Sequence, residues 1–474
     1  MSIIERMQAP FNKTKIVATL GPSSNTLEMI RKLAFSGVDV FRLNSSHGSV
    51  ADHEQAVSFI RQIAKEEDIA LAILLDLQGP KIRLGIFEGV RVAKVGDTLD
   101  LSVSSDKESA LFVDYKGLTK DVHVGDPIMI NDGRIRLRVM DVVGDIVHTV
   151  VEAGGELSSR KGVNLPGTDV AVDAMTTKDR DYVAWGVKQD VDFIALSFVR
   201  KAKDIIDLKQ LLKECGKAIP VIAKIEKPQA IDRLDEIIEA SDGVMVARGD
   251  LGVEMNPEQV PIIQKSIIQK ANFAQKPVIV ATQMLESMIH EPVATRAEVA
   301  DVANAILDGT DAIMLSAETA SGDFPVESVT MMSRIASEVE SSKLYNSQYL
   351  FLSQDHRADL NTQITRLLDL LPIKAVIAIT QTGRTAEKLS KAKVRHPIIA
   401  LCPQIRMVRQ LSLLWGVYPL LYKGPLEISE VTIHQVAEHV REHSFLKEGD
   451  QVMLVTGLPY FTLGKTTSFR LCSI

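Results

Sequence analysis

The chain has 474 residues and a formal net charge of −7, and its length predicts about three domains rather than a single core. Apolar residues make up 46% of the chain and charged residues 24%, which is typical of a globular protein. The negative balance offers no overall attraction for nucleic acid or for an anionic membrane surface. No apolar run reaches the roughly 20 residues that a transmembrane helix needs.

The cysteine content and the start of the chain both indicate a cytoplasmic protein. Cys215, Cys402 and Cys472 are scattered and odd in number, so we expect neither a disulfide framework nor a thiolate metal site. Residues 1–15 lack an apolar segment followed by a small-residue cleavage site, so we expect no secretory leader.

From Lys15 to about Ser316, short apolar runs alternate with helical patterns. Parallel strands that are buried on both faces have such continuous apolar sequences, and eight strand–helix units make a closed (β/α)8 TIM barrel. A doubly wound open sheet is the alternative, but no Gly-x-Gly-x-x-Gly turn follows the first strand. The eight runs are 16–18, 38–43, 72–75, 193–196, 221–225, 244–247, 278–281 and 312–315.

The alternation is interrupted once, between Asp76 and about Asp173, by short alternating strands with glycine turns such as Asn131-Asp132-Gly133. This pattern predicts a small β-barrel domain inserted after the third barrel strand. Because βα loops open on the catalytic face, the insertion should cover the site as a lid. A polar linker after the barrel precedes a C-terminal α/β domain. The predicted bounds are 13–80 and 173–341 for the barrel, 81–172 for the lid and 342–474 for the C-terminal domain.

Polar residues follow the apolar runs, and in a barrel they would gather at the C-terminal mouth, where active sites of this architecture lie. Contact with solvent explains any single polar strand end about equally well. It explains six strand ends with complementary charges much less well. The residues are Arg42, Asn44, Asp76, Lys224, Glu226, Arg248, Asp250, Thr282, Gln283, Ser316 and Glu318.

Lys224 and Glu226 are two residues apart on one predicted strand and therefore share a face, and Asp250 ends the next strand. Two carboxylates suit Mg²⁺, which takes further ligands from water and phosphate oxygens. A lysine beside them can neutralise a transferred phosphoryl group or an enolate. A structural ion pair and a Schiff-base lysine are the alternatives, although neighbouring carboxylates raise a lysine pKa. The cluster predicts a metal-dependent phosphotransferase for a small carboxylic acid.

Gly249 and two arginines extend this site. A glycine lets the backbone approach a ligand, and the amides that open the following helix suit a substrate carboxylate. Arg42 and Arg83 are candidates for holding a phosphate, since guanidinium groups match its oxygens. Each arginine alone could equally form a surface ion pair.

Eight segments of the chain match a family pattern: KIVATLGP at 15–22, RLNSSHG at 42–48, LDLQGPKIR at 75–83, KGVNLPG at 161–167, AKIE at 223–226, MVARGDLGVE at 245–254, ATQML at 281–285 and MLSAETA at 314–320. Together they closely resemble the pyruvate kinase family. The resemblance implies the glycolytic transfer of a phosphoryl group from phosphoenolpyruvate to ADP, giving ATP and an enolate that is protonated to pyruvate, with Mg²⁺ or Mn²⁺ as cofactor. It also implies a homotetramer.

The resemblance implies a role for each residue at a matching position. Glu226 and Asp250 would be ligands of the divalent metal, and Lys224 would stabilise the transferred phosphoryl group and the enolate. Arg42 and Arg83 would hold the phosphate.

The remaining positions concern the substrate carboxylate, the proton and the nucleotide. The backbone at Gly249 and Asp250, with Thr282, would hold the carboxylate. Thr282 and Ser316 would belong to the proton-delivery route, where ordered water must take part because neither is a strong acid. The positions on the nucleotide side are Asn44, His47 and Lys161.

One position departs from the family pattern in an informative way. Many family members bind K⁺ and have a glutamate in Gly-Pro-Glu-Ile-Arg, but here that glutamate is Lys81. This is similar to a K⁺-independent branch, in which a tethered ammonium replaces the ion, so we predict catalysis without added K⁺. The residues at the monovalent-cation positions are Asn44, Ser46, Asp76 and Leu77.

Milder departures are Ser45 in place of a phenylalanine and Asn131 in place of an aspartate in the lid turn. The helix that opens the C-terminal domain is predicted to be short, since only about a dozen residues link Asn361 to the strand at Ala375.

A loop in the C-terminal domain is similar to the family's effector site, which suggests a sugar phosphate or AMP as effector. Hydroxyls and amides around a glycine turn suit a phosphate, but an ordinary strand–helix turn with a capping Thr385 is an equal alternative. The candidate residues are Thr380, Thr382, Gly383, Arg384 and Thr385. Two other functions stay open: another barrel enzyme of enolpyruvate chemistry, and a catalytically silent relative.

Overall fold

The computed structural model describes residues 12–106, 110–168, 170, 172–345, 368, 370–424, 430–456 and 468–474. Within these residues, eight parallel strands close into a barrel, which confirms the predicted (β/α)8 fold. Strand β12 pairs with β3 across the inserted domain, and β1 pairs with both β2 and β16 to complete the ring. With strands numbered along the whole chain, the barrel consists of β1 (Lys15–Thr19), β2 (Val40–Asn44), β3 (Ala72–Asp76), β12 (Phe193–Leu196), β13 (Val221–Ile225), β14 (Gly243–Ala247), β15 (Val278–Ala281) and β16 (Ala312–Leu315).

Helices cover the barrel and bury their apolar faces against the outside of the strands. Several start at a side-chain cap: Ser49, Thr176 and Thr295 each accept a backbone N–H in a capping box, which satisfies donors that a helix start leaves open. The helices are α1 (Leu27–Ser36), α2 (Val50–Glu66), α4 (Thr177–Lys188), α5 (Ala202–Glu214), α6 (Pro228–Asp232), α7 (Leu234–Ala240), α8 (Arg248–Glu254), α9 (Val260–Phe273), α10 (Arg296–Leu307), α11 (Ala317–Ala320) and α12 (Pro325–Ser341). Among the described residues, no helix is both long and apolar enough to cross a membrane.

The insertion is a β lid with its own apolar core, as predicted. Its described part forms a curled six-stranded sheet and a separate two-stranded sheet. Asn164 Nδ2 donates to Glu254 Oε1 at 2.8 Å, which joins the lid to the end of α8. The lid elements are β4 (Arg91–Ala93), β5 (Thr98–Ser102), β6 (Leu111–Phe112), α3 (Leu118–Asp121), β7 (Pro127–Ile130), β8 (Ile135–Val143), β9 (Ile146–Ala153), β10 (Gly155–Leu157) and β11 (Val163–Asn164).

The C-terminal domain is a separate α/β unit, also as predicted. In its described part, four parallel strands and an antiparallel edge strand form one sheet in the order β19-β18-β17-β20-β21. The predicted short first helix falls largely within 346–367, outside the described residues. The elements are β17 (Ala375–Ile379), α13 (Arg384–Lys391), β18 (Ile398–Cys402), α14 (Ile405–Leu411), β19 (Val417–Leu421), α15 (Glu430–His443), β20 (Gln451–Thr456) and β21 (Ser468–Ser473).

A repeated contact closes the N-terminal face of the barrel. An aspartate directly precedes each of β2, β12, β14 and β16, and its carboxylate accepts a backbone N–H at or near the start of the preceding barrel strand. These hydrogen bonds measure 2.8–3.0 Å and tie the strands together in pairs. The four base aspartates and their donors are Asp39 with Ile16, Asp192 with Ile73, Asp242 with Val221, and Asp311 with Val278.

The C-terminal domain docks onto this face through two of the base aspartates. Arg409 Nε donates to Asp192 Oδ1 at 2.6 Å, and Lys393 Nζ donates to Asp311 Oδ1 at 3.1 Å. Lys391, at the end of α13, contacts the other oxygen of Asp311. The C-terminal domain is therefore bound to the end of the barrel opposite the mouth.

Candidate active site

Lys224 is the centre of the barrel mouth. Its Nζ lies 3.0 Å from Glu226 Oε1 and 3.1 Å from Asp76 Oδ1, and it donates to Ser197 Oγ at 2.7 Å. Burial lowers the pKa of Lys224, but the two carboxylates outweigh burial and raise the pKa above its ordinary value. Lys224 therefore stays an ammonium, which argues against the Schiff-base alternative.

The two predicted metal ligands differ in their surroundings. Glu226 is 1% exposed; its Oε2 accepts the Phe198 N–H at 2.8 Å. Its Oε1 faces Lys224 but accepts no well-directed hydrogen bond from any described residue. Burial raises the pKa of Glu226, and the neighbouring charge of Asp250 adds to this against the effect of Lys224. Asp250 lies in the first turn of α8 and is partly exposed.

Asp76 is enclosed between two cations. Its Oδ2 accepts Arg42 Nε at 2.7 Å, while its Oδ1 faces Lys224. Arg42 also donates to Thr19 Oγ1 at 3.0 Å. Burial raises the pKa of Asp76, but Lys224 and Arg42 outweigh burial and lower it, so Asp76 is ionised. This network fixes the direction of Arg42.

Two of the other predicted monovalent-cation ligands, Asn44 and Leu77, also accept hydrogen bonds within the protein. Asn44 Oδ1 accepts the Ser46 N–H at 3.1 Å, and the Leu77 carbonyl accepts Ser197 Oγ at 2.6 Å. Lys81 extends to Asp250, with 3.7 Å between its Nζ and Oδ1. Its side chain passes over Gly162, where an added methyl group would lie 3.0 Å from Lys81 Cε.

A strained turn links Thr282 to the start of α8. Thr282 has φ 70°, a left-handed conformation that is costly for a β-branched residue and is typical of functional sites. Its hydroxyl accepts the Gly249 N–H at 2.7 Å and donates to the Ala281 carbonyl at 2.6 Å. Arg248 Nη2 donates to the Thr282 carbonyl at 2.7 Å, and Arg248 Nη1 donates to Asp301 at 2.8 Å. Arg248 thus holds the strained turn in place.

Ser316 presents a hydroxyl that has no hydrogen-bond partner in the described part of the chain, although its oxygen is buried. Glu318 fixes the backbone there by accepting the Ser316 N–H at 2.7 Å and the Leu285 N–H at 3.2 Å. Burial raises the pKa of Glu318.

Positive charge gathers around His47 on the lid side of the mouth. Burial lowers the pKa of His47, and the charges of Arg83, Arg42 and Lys81 lower it further. Arg83 Nη1 donates to the Arg160 carbonyl at 3.0 Å, next to Lys161 in the chain. Although the chain is acidic overall, this side of the mouth has the local positive potential that a phosphate ligand requires.

The effector-like loop is well formed but lies in the C-terminal domain, away from the mouth. Gly383 has φ 78° and starts α13, and no side chain among the described residues caps this helix. Thr385 lies inside the first turn and is not the cap. Thr380 is buried, while Thr382 and Arg384 are exposed.

Sequence reasoning missed Ser197, which contacts Lys224 and the Leu77 carbonyl. Ser197 directly follows the apolar run of β12, in the same position as the polar residues that were selected on other strands. Its position directly after the strand could therefore have identified Ser197 as a site residue. Phe198, with φ 55°, places the backbone N–H that Glu226 accepts, and nothing in the sequence marks it.

A (β/α)8 barrel with a lid over a buried lysine and paired carboxylates defines a class of enzymes that process small anionic substrates. The model for pyruvate kinase, barrel domain, matches residues 11–329, and the model for pyruvate kinase, alpha/beta domain, matches residues 362–472. The chain belongs to the pyruvate kinase family and is an enzyme of that type. This confirms the resemblance found in the sequence.

Relatives that bear the name pyruvate kinase match along nearly the whole chain. The chain is 44% identical to the pyruvate kinase of Methylorubrum extorquens, across 98% of the chain and 97% of that protein. It is 42% identical to the pyruvate kinase of Thermotoga maritima, across 97% of the chain and 99% of that protein. It is 44% identical to pyruvate kinase 2 of Synechocystis sp., across 96% of the chain and 78% of that protein.

Proposed function

We propose that the barrel mouth transfers a phosphoryl group from phosphoenolpyruvate to ADP, and that the enolate left behind is protonated there to pyruvate. The observation that carries this proposal is the buried Lys224 ammonium, held between Asp76 and Glu226 beside Asp250. Phosphoryl transfer asks a protein mainly to position groups and to neutralise charge, and this cluster supplies a fixed cation and two carboxylates at one point.

Glu226 and Asp250 would hold the divalent metal, Mg²⁺ or Mn²⁺. The donor set fits a hard cation, because both residues offer carboxylate oxygens and Glu226 Oε1 accepts no well-directed hydrogen bond from a described residue. Among the residues that the structure describes, no group of three or more His, Cys, Asp or Glu is arranged to hold a metal, so substrate and water oxygens would complete the coordination. When bound, such an ion neutralises negative charge on phosphoryl and enolate oxygens.

Lys224 and Arg42 would bind the oxygens of the transferred group. Both are locked in direction by Asp76, so little side-chain freedom is lost when substrate arrives. Arg83 would bind the phosphate from the lid side, and its hydrogen bond to the Arg160 carbonyl would be exchanged for phosphate oxygens. Preorganised charges of this kind act most strongly in a site that the lid closes off from water.

The carboxylate of phosphoenolpyruvate would occupy the turn between Thr282 and α8. The Gly249 N–H and the Thr282 hydroxyl are now paired with each other, and both would turn to the carboxylate, next to the backbone of Asp250. Thr282 and Ser316 would then border the route by which ordered water protonates the enolate carbon. The buried Ser316 hydroxyl, without a described partner, supports this role.

Asn44, His47 and Lys161 would contact the nucleotide. The lowered pKa of His47 keeps its ring neutral, so Arg83 and Lys81 supply the nearby positive charge for phosphates while His47 offers hydrogen bonds.

Lys81 would take the place of K⁺, so the reaction would proceed without it. Asp76, which would be a K⁺ ligand, is already paired with Lys224 and Arg42. Asn44 Oδ1 and the Leu77 carbonyl likewise accept hydrogen bonds within the chain. The Lys81 ammonium, 3.7 Å from Asp250 Oδ1, would supply a monovalent positive charge at the mouth.

Regulation and assembly rest on the family resemblance. The loop with Thr380, Thr382, Gly383, Arg384 and Thr385 would bind a sugar phosphate or AMP, and the enzyme would be a cytoplasmic homotetramer. A panel of sugar phosphates and AMP should include one compound that lowers the half-saturating phosphoenolpyruvate concentration. Light scattering on the purified protein should give four times the chain mass.

One assay separates the functions that the sequence left open. We expect pyruvate and ATP to form in equal amounts from phosphoenolpyruvate and ADP with Mg²⁺, followed by coupled absorbance and ³¹P NMR. An enzyme of another enolpyruvate reaction would consume phosphoenolpyruvate without ADP, and a silent relative would consume nothing. Either of those results would reject the proposed function.

A further inference from the structure

A cavity of about 420 Å³ opens on the C-terminal domain between the end of β19 and one face of α15. The domain docks against the base of the barrel, so this cavity lies away from the mouth and is not part of the proposed catalytic site. The residues that border it and matter here are Tyr422, Lys423, Glu438, His439 and Glu442.

Two of the residues that line the cavity, Tyr422 and His439, each carry a buried polar atom without a partner. Tyr422 Oη and His439 Nε2 are both buried, and neither forms a hydrogen bond with any residue of the described ranges. The two rings are neighbours, with centroids 5.2 Å apart. Buried polar atoms are nearly always satisfied in native proteins. Two unsatisfied atoms beside one open cavity therefore indicate that a ligand supplies their partners.

The state of His439 determines what the ligand must offer. Nε2 of its ring has no hydrogen-bond partner among the described residues, so Nε2 is the ring nitrogen that a ligand can satisfy. Burial lowers the pKa of His439, and the charge of His443 lowers it further, so the ring is neutral near pH 7. In the tautomer that carries its proton on Nδ1, Nε2 presents a lone pair, and the ligand donates the hydrogen bond.

The charge around the cavity favours a cation. Glu438 and Glu442 are four residues apart on α15, and both line the cavity, while Lys423 contributes one positive charge from the strand side. Among the lining residues two carboxylates face one ammonium, and the nearby His443 is offset by Asp68, 3.1 Å from its Nδ1, so the local field is negative. His434 lies 3.7 Å from Glu438, and His443 lies 3.8 Å from Glu442, but both carboxylates remain exposed.

A metal ion fits this arrangement less well than an organic cation. No three His, Cys, Asp or Glu side chains in the described residues are placed to hold a metal, and a tyrosine hydroxyl is a poor ligand for most divalent ions. An alkylammonium group carries three N–H donors in diverging directions and requires no fixed coordination number. We propose that this cavity binds a small primary amine, whose ammonium donates to His439 Nε2 and Tyr422 Oη and is balanced by Glu438 and Glu442.

Isothermal titration of the full-length protein with two amines tests this proposal. Putrescine presents an ammonium without a carboxylate, whereas L-leucine adds a carboxylate that Lys423 would have to meet, so the two probes distinguish a diamine from an amino acid. We expect at least one to bind with a single site per chain. Its N-trimethylated analogue, which keeps the charge but lacks N–H donors, should bind at least tenfold more weakly.

Two variants assign any binding to this cavity. Tyr422→Phe removes only the hydroxyl and should weaken amine binding about tenfold. Tyr418→Phe, within the β19 strand that Tyr422 follows, is the control: its ring packs against Phe445, and the affinity should stay unchanged. The ¹⁵N shift of His439 Nε2 should move when the amine binds. The proposal is wrong if neither amine binds at millimolar concentration, if the trimethylated analogue binds equally well, or if Tyr422→Phe and the Nε2 shift show no effect.

Discussion

Asp311 at the base of the barrel and Glu226 at its mouth are both buried carboxylates, but they differ in how completely they are paired. At the base, burial raises the pKa of Asp311, but Lys391 and Lys393 outweigh burial and lower it, and Val278 donates a backbone N–H. At the mouth, Glu226 is as deeply buried, yet burial prevails and raises its pKa. A carboxylate that is fully paired within the chain stabilises the fold, and one that is left short of partners marks a place for a ligand.

The sharpest test of this contrast is Lys224→Met at the mouth. Loss of the ammonium should lower kcat by about 10³-fold or more, because Arg42, the other cation fixed by Asp76, cannot also occupy the position of the Lys224 ammonium. Coupled assay of pyruvate formation measures the effect. Lys120→Met, an exposed lid lysine, is the matched control and should keep wild-type activity. Retention of full activity by Lys224→Met would remove Lys224 from the mechanism.

At the base, Asp311→Asn should have the opposite effect to Lys224→Met: it should lower stability and leave activity nearly unchanged. Removing one partner of a buried charge network costs about 3–5 kcal/mol, whereas kcat of the folded protein should stay within a factor of about two, since Asp311 lies at the far end of β16. Urea unfolding followed by tryptophan fluorescence measures the loss, because Lys393 lies 4.7 Å from the Trp415 ring.

Asp235→Asn is the control for that measurement. Asp235 pairs with Lys270 at 2.7 Å on the surface and is 78% exposed, so its loss should cost less than about 1 kcal/mol. Equal destabilisation of the two variants would mean that the base aspartates have no special role.

Lys81→Gln tests the cation at the mouth. Loss of its charge should reduce activity roughly 10- to 100-fold, as is common for groups that support a metal site, and added K⁺ should restore part of it. Rates with Na⁺ or K⁺ chloride measure the effect, with Lys120→Gln as control. A wild-type rate that rises many-fold when K⁺ replaces Na⁺ would contradict the proposal.

The raised pKa of Glu226 predicts a pH effect on metal binding. As the pH falls through this pKa, Glu226 takes up a proton that competes with the metal, so the half-saturating Mg²⁺ concentration should rise by up to about tenfold per pH unit. Above the pKa it should become constant. Mg²⁺ titrations of the initial rate at several pH values provide the measurement; a flat dependence would exclude Glu226 as a ligand.

The smallest contrast concerns two hydroxyls on either side of β16. Ser316→Ala removes a buried hydroxyl without a described partner, so stability should not fall, while slower proton delivery lowers kcat roughly tenfold. Thr310→Val removes a hydroxyl that donates to the Val278 carbonyl at 2.9 Å and should cost about 1 kcal/mol with kcat unchanged. Thermal unfolding and steady-state kinetics on both variants distinguish the roles.

The barrel could be predicted because its strands are buried on both faces and are therefore continuous apolar runs. The residues of the candidate site could be selected because they are polar positions at or near the C-terminal ends of those runs. The left-handed turn at Thr282 could not, since it depends on Arg248 and Asp301 from separate elements. The contact between Lys81 and Asp250 could not be predicted either. The sequence identified Lys81, but the contact depends on how its side chain passes over Gly162.

The base aspartates show a different limit. An aspartate precedes four of the eight strands, and this repeat is visible in the sequence, but each partner lies on another strand or in another domain. Arg409 and Asp192, for example, are 217 residues apart. Such pairings follow from the closed barrel and from the docking of the C-terminal domain, neither of which a local pattern contains.

The docking of Lys391 and Lys393 on Asp311 has a consequence for synthesis. The barrel sequence leaves the ribosome before either lysine has been made. In a nascent barrel, Asp311 therefore has the Val278 N–H as a partner but neither lysine. The negative charge of Asp311 is neutralised only when the C-terminal domain docks. Completion of the chain is thus coupled to completion of the barrel base, and a truncated product would expose Asp311 without its two lysine partners.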